Sequence, residues 1–168
     1  VYLPISLGAG LVLEDARGGD NNGTFEGGVS WENAEAGVSD VAIYLDGVDS
    51  QINIENANEI NLIDHRARSI SLWFKAEDPL KSGKQVIYEE GGGIRGLNFY
   101  LENGLLYVGG WNSGGSGWGE TYFSTELTDT EWHQVGLVLD ALESNDAQPE
   151  AFRVFLDGVE FARGTAAP

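Results

Sequence analysis

From Glu131 to Gly164 the chain alternates apolar and polar residues twice, first in Trp132-His133-Gln134-Val135-Gly136-Leu137-Val138-Leu139-Asp140 and again in Phe152-Arg153-Val154-Phe155-Leu156. A period of two sends successive side chains to opposite faces of a strand. Asp157-Gly158 then supplies the positive φ that a tight type I′ turn demands, so the run from Phe152 to Phe161 predicts a hairpin. The same Leu-Asp-Gly phrase stands at Leu45-Asp46-Gly47, flanked by Val41 to Leu45 and Gln51 to Ile54. Asn103-Gly104 joins Leu97 to Glu102 with Leu105 to Val108. Three Asx-Gly turns between strand-like runs predict an antiparallel all-β protein.

The remaining segments follow the same rule. Ser69 to Ala76 alternates cleanly, placing Ile70, Leu72 and Phe74 on one face and Ser71, Trp73 and Lys75 on the other. Lys84 to Tyr88, Tyr122 to Ser124 and Phe25 to Trp31 also read as strands. Val1 to Leu13 is apolar but holds Pro4, which confines it to an edge or a strand start. Glu55 to Asp64 has too few apolar residues at helical spacing for a helix and predicts a loop with a short helical turn. About a dozen short strands without a convincing helix predict two antiparallel sheets packed as a sandwich or jelly roll. A length of 168 residues suits a single domain spanning 1–168.

Composition narrows the classes of partner. A formal net charge of −18 argues against nucleic acid and anionic membranes, which the summed field would repel. With no cysteine there is no disulfide, thiolate metal site or catalytic thiol. No apolar run reaches the roughly 18 residues of a membrane span. A chain that begins at Val1 and contains no methionine is expected to be a processed product or a piece of a longer one.

Several phrases, taken in order, resemble one family. They are Asn21-Asn22-Gly23-Thr24-Phe25 with Gly27-Gly28-Val29-Ser30-Trp31, then Ala42-Ile43-Tyr44-Leu45-Asp46-Gly47-Val48-Asp49 leading to Ile52-Asn53-Ile54. Ile70-Ser71-Leu72-Trp73-Phe74-Lys75, Glu131-Trp132-His133-Gln134-Val135 and Val154-Phe155-Leu156-Asp157-Gly158-Val159 complete the set. Together they resemble the laminin-G-like, concanavalin-like lectin and glucanase superfamily, in its bacterial laminin-G-like, pentraxin-like branch. The resemblance implies a sandwich that binds carbohydrate or another cell-surface ligand, often with calcium, outside the cell or at its surface. It also implies closing strands beyond the last Asp-Gly hairpin, whereas the chain stops at Pro168. An edge left uncovered would be a template for strand addition from a neighbour.

Glucanases of this superfamily place two or three carboxylates on one strand, at alternating positions facing one cleft. No Glu-x-Asp-x-x-Glu occurs, and Glu89 and Glu90 are neighbours that point to opposite faces. No nucleophile elbow accompanies the serines. His133 falls where the resemblance has a structural Trp-His pair, and His65 reads as a solvated loop residue. A non-enzyme is expected.

Calcium is the expected cofactor: Asp15, Asp20 and Asn22 offer hard oxygens in a glycine-rich turn, although Arg17 breaks the EF-hand spacing. A plain Asx turn explains the same residues. Glu89, Glu90 and Asn98 form a second cation option, and Glu143, Asp146 and Glu150 an acidic loop. Asn22-Gly23-Thr24 is also a glycosylation sequon.

For ligand recognition, Trp111, Trp118 and Tyr122 surround a glycine-rich loop and could stack on sugar rings. Asn112, Ser113, Glu120 and Glu89 would read hydroxyls, and Trp73 is the next aromatic candidate. The expected function is a non-catalytic extracellular binding or adhesion module. A structural subunit that adds strands between neighbouring copies, through Val1 to Leu7, and a remnant glycoside hydrolase are the alternatives.

Overall fold

Asn103-Gly104 and Asp157-Gly158 make the tight hairpins that the sequence predicts. Asn103 and Asp157 lie at φ 52 and 50°, and the glycines after them at 78 and 77°. Both central positions of a type I′ turn require this left-handed region, which asparagine and aspartate tolerate and glycine enters freely.

The computed structural model describes residues 1–6, 8–34, 40–63, 65–114, 119–140 and 148–166. The chain forms two compact units, Val1–Ile63 and Asp64–Pro168, and the described residues contain thirteen strands and no helix.

In the first unit, β1 (Val12–Leu13), β2 (Gly23–Glu26) and β5 (Gln51–Ile54) form one antiparallel sheet in the order β1-β2-β5. β3 (Ser30–Asn33) and β4 (Val41–Tyr44) form a separate ribbon. Only Val12 and Leu13 of the expected N-terminal strand pair. The expected run from Phe25 to Trp31 is broken at Gly27, which has φ 70° and so little room that a Cβ would lie 2.3 Å from the Asp49 carbonyl oxygen. The chain turns there, and Trp31 comes back onto Phe25 with ring centroids 5.5 Å apart while its indole N–H donates to Gly10 O at 2.8 Å.

Asp46-Gly47 corrects the sequence reading, because it joins strands of two different sheets and is not a hairpin turn. Asp46 instead folds a loop around its own carboxylate. Oδ1 accepts from the Ser50 hydroxyl at 2.6 Å and from the backbone N–H groups of Val48, Asp49 and Ser50. These bonds, the Ser50 hydroxyl foremost, hold the carboxyl at a pKa of about 2. The short helical turn expected after Glu55 is present: the Ala57 carbonyl accepts from Ile60, Asn61 and Leu62.

The second unit is a two-sheet sandwich. One sheet has the order β10-β9-β8-β7, from β7 (Gln85–Gly91), β8 (Arg95–Glu102), β9 (Leu105–Asn112) and β10 (Gly119–Glu126). The other has the order β13-β12-β11-β6, from β6 (Ala67–Phe74), β11 (His133–Asp140), β12 (Gln148–Leu156) and β13 (Val159–Ala166). All pairings are antiparallel. Their inner faces share one core of Phe74, Leu97, Phe99, Leu101, Leu106, Val108, Val135, Leu137, Phe152 and Val154, eight of which are wholly buried. At one side of the sandwich Phe123 of β10 lies against Gly164 of β13, where a Cβ would sit 2.5 Å from the ring. At the other, Arg68 of β6 forms an ion pair with Glu90 of β7, both side chains largely buried.

Candidate functional site

In β8 the core takes Leu97, Phe99 and Leu101, so Gly96, Asn98, Tyr100 and Glu102 share the opposite, outer face. In β9 the core takes Leu106 and Val108, which leaves Leu105, Tyr107, Gly109 and Trp111 outside. The antiparallel register aligns these outer positions into rows across all four strands. One row is Tyr122, Gly109, Asn98, Glu89; the row beside it is Glu120, Trp111, Gly96, Gly91. Trp111, Tyr122, Glu120 and Glu89, all expected to meet ligand, therefore stand on one surface.

Glycines make room for the rings. A Cβ on Gly96 would lie 2.4 Å from the six-membered ring of Trp111, so the indole is laid across that strand, and its N–H donates to Gly92 O at 2.8 Å. A Cβ on Gly109 would lie 2.1 Å from Thr121 O and 2.8 Å from Tyr122 Cδ1. Tyr100 stacks on Tyr107, with centroids 4.8 Å apart and planes at 10°, and meets Tyr122 edge-on at 5.8 Å. Lys84 Nζ sits 4.3 Å from the Tyr100 centroid.

Electrostatics mark the middle of this face. Burial raises the Tyr122 phenol to a pKa of about 12. Tyr100, Glu120 and Glu89 push the same way, and a hydrogen bond with the Asn98 side chain opposes them. Asn98 is 7% exposed, and its Oδ1 has no hydrogen-bond partner. An orphaned buried acceptor costs about 1–3 kcal/mol, so among the described residues of this face Asn98 Oδ1 stands to gain from a donor.

Other expected site residues lie elsewhere. Asn112 follows Trp111 and so points to the other side of the sheet; it is 8% exposed and accepts from Gly114 N at 3.3 Å, which corrects its assignment to the ligand face. Ser113 is exposed and its backbone N–H donates to Ile94 O. Trp118, Glu143 and Asp146 lie outside the described residues. Trp73 faces away from the core as expected, 49% exposed, but it belongs to the other sheet, opposite Gln134. Glu89 and Asn98 are cross-strand neighbours, whereas Glu90 turns to Arg68 and to the Tyr88 hydroxyl, 2.7 Å away, so the three do not converge.

In the first unit, Asp15 Oδ1 accepts backbone N–H bonds from Tyr2 at 3.0 Å and Arg17 at 3.1 Å, and the Tyr2 bond is the main cause of its lowered pKa. Asn22 Oδ1 accepts from Asp15 N at 2.8 Å. Asp20 is exposed at the edge of a cleft of about 710 Å³ that Asp15, Glu55 and Glu59 also line. Asp15 and Asn22, two of the three residues expected to ligate calcium, thus already tie the loop together through their Oδ1 atoms. Among the described residues, no group of three or more His, Cys, Asp or Glu side chains is placed to hold a metal.

His133 is held on both sides by carboxylates. Its Nδ1 is 2.7 Å from Asp157 in the turn of the last hairpin and its Nε2 2.9 Å from Asp129 in the loop before β11, so the ring ties that loop to the hairpin.

A laminin-G family model, described as the concanavalin A-like lectin/glucanases superfamily, matches residues 45–168. The chain belongs to this superfamily. The match takes in β5 and the whole two-sheet unit, including the aromatic face. No curated protein and no solved structure gives a significant match.

Tyr100 and Tyr107 are the members of this face that motif reading passes over, and Asn98 was expected there only as a cation ligand. Their signal was the period-two pattern of Leu97 to Val108, which once phased by Leu97, Phe99 and Leu101 separates Trp111 from Asn112.

Proposed function

We propose that this domain is a non-catalytic module that takes carbohydrate on the outer face of the β7–β10 sheet, outside the cell or at its surface. One observation carries the reading. The register sets Trp111 and Tyr122 beside Asn98, Glu89 and Glu120, which gives aromatic planes for the apolar faces of sugar rings and acceptors for their hydroxyls. Membership of a superfamily of lectins and glucanases supports a carbohydrate ligand.

The carboxylates support binding without hydrolysis. Glu89 and Glu120 stand on the two outermost strands, three strand spacings or about 14 Å apart. Glycoside hydrolysis uses carboxyl pairs about 5–9.5 Å apart.

A panel of neutral, amino and acidic oligosaccharides tests the reading by titration calorimetry. Trp111→Ala and Tyr122→Ala should each weaken binding about tenfold or more while the melting transition stays cooperative. Silence across the whole panel, or binding indifferent to both substitutions, overturns the reading, and release of new reducing ends would overturn its non-catalytic part.

A further inference from the structure

The charged groups of the ligand face are mostly carboxylates. Glu89, Glu120, Glu102 and Glu126 lie on it by register, and Lys84 over Tyr100 is the one cation assigned to it among the described contacts. Glu89 and Glu120 both act on the Tyr122 phenol, so their charges reach the centre of the face from its two sides. Between them lies Asn98, more than nine-tenths buried, with a carbonyl oxygen that no donor among the described residues reaches. That oxygen is closed to solvent, so a ligand donor would have to displace a neighbouring side chain to reach it.

A face flanked by two carboxylates chooses its ligand by charge. Hydroxyl and ammonium groups bring protons to Asn98 Oδ1, Glu89 and Glu120, and an ammonium also gains from the field. A uronate or sulfate brings only further acceptors and a repelled charge. The net charge of −18 adds to the repulsion at long range. Resting on the carbohydrate reading above, we infer that the face centred on Tyr122, Asn98 and Glu89 recognises amino-sugar chains ahead of neutral ones and rejects acidic ones.

The test compares three soluble probes on the intact protein: a glucosamine oligomer, its N-acetylated counterpart and a galacturonate oligomer. The order of affinity should be glucosamine, then N-acetylglucosamine, with galacturonate failing to bind. Attraction to the protein's overall charge is separated from recognition by two double variants of equal net charge, Glu89→Gln/Glu120→Gln on the face and Glu77→Gln/Glu131→Gln away from it. The first should cut glucosamine affinity about fivefold and that of the N-acetylated probe, which loses only hydroxyl acceptors, by about twofold or less; the second should change neither beyond about twofold. Asn98→Leu should weaken both binding probes together.

Galacturonate binding as tightly as glucosamine overturns the inference, and so does an equal loss from both double variants. In either case the carbohydrate reading survives if Trp111→Ala still weakens binding about tenfold or more. Failure of all three probes, together with silence across the wider panel, overturns both.

Discussion

Two glycines separate the two reasons a position can require that residue. Gly158 has φ 77° and nothing within 4 Å of the place a Cβ would occupy, so Gly158→Ala meets only backbone strain, about 1–2 kcal/mol. Gly109 has no positive φ, but a Cβ there would run into the Thr121 carbonyl and the Tyr122 backbone, neither of which can move without breaking the β9–β10 ladder. Gly109→Ala should therefore cost about 3 kcal/mol, the upper end of overpacking, and disturb Tyr122. Urea denaturation of both variants checks the ranking. His133 offers a residue-scale test with pH. Burial opposes its charge, but the hydrogen bonds and charges of Asp157 and Asp129 outweigh burial and raise its pKa above the ordinary 6.5. A cation stabilised by folding contributes fully below the unfolded pKa and loses that contribution as pH rises through the higher folded one. The melting temperature should thus fall by a few degrees from about pH 6 to about pH 8.5, and His133→Gln should flatten this limb.

The elements show what the pattern along the chain could and could not reveal. Strands of the second unit were legible because each has one face in the shared core: Ile70, Leu72 and Phe74 alternate with Ser71 and Trp73, and the Asn-Gly and Asp-Gly turns fix the neighbouring registers. Asp46-Gly47 misled because its spacing resembles a hairpin, while the Asp46 carboxylate gathers four donors and makes a loop. The aromatic face was half legible. Trp111, Tyr122, Glu120 and Glu89 are conspicuous as residue types, but which of Trp111 and Asn112 points outward is set by cross-strand register, a non-local property. Contacts between sheets are equally invisible in sequence. Arg68 and Glu90 are 22 residues apart, yet their ion pair spans the sandwich where both side chains are largely buried. Burial raises the pKa of Glu90, opposed by the Tyr88 hydroxyl, Arg68 and His65. Removing one partner leaves the other charge desolvated, so Arg68→Ala should destabilise by about 3 kcal/mol. A double variant, Arg68→Met/Glu90→Leu, should recover most of that loss, and thermal melts of the three proteins would show it; equal stability of wild type and Arg68→Ala would mean that the pair contributes nothing.

At the scale of the whole molecule, 27 acidic residues against 9 basic ones give a field that opposes compaction and that salt should relieve. The melting temperature is accordingly expected to rise between about 10 mM and about 300 mM sodium chloride, where the Debye length contracts from about 30 Å to under 10 Å. Calcium must be judged against this background, since any divalent ion screens a polyanion. A specific site would need oxygens that the fold has not committed, but Asp15 and Asn22 already hold backbone N–H groups of Tyr2, Arg17 and Asp15. Ligating a cation through them would redirect those bonds and loosen the loop they close. Calcium and magnesium chlorides at matched ionic strength should therefore raise the melting temperature equally, and excess chelator should return it to the value in sodium chloride alone. Binding of calcium to the native state alone, at a hundred times its dissociation constant, would add about 2.7 kcal/mol, a shift easily resolved from screening. Such a calcium-specific rise, abolished by Asp20→Ala, would show that the loop rearranges around a cation.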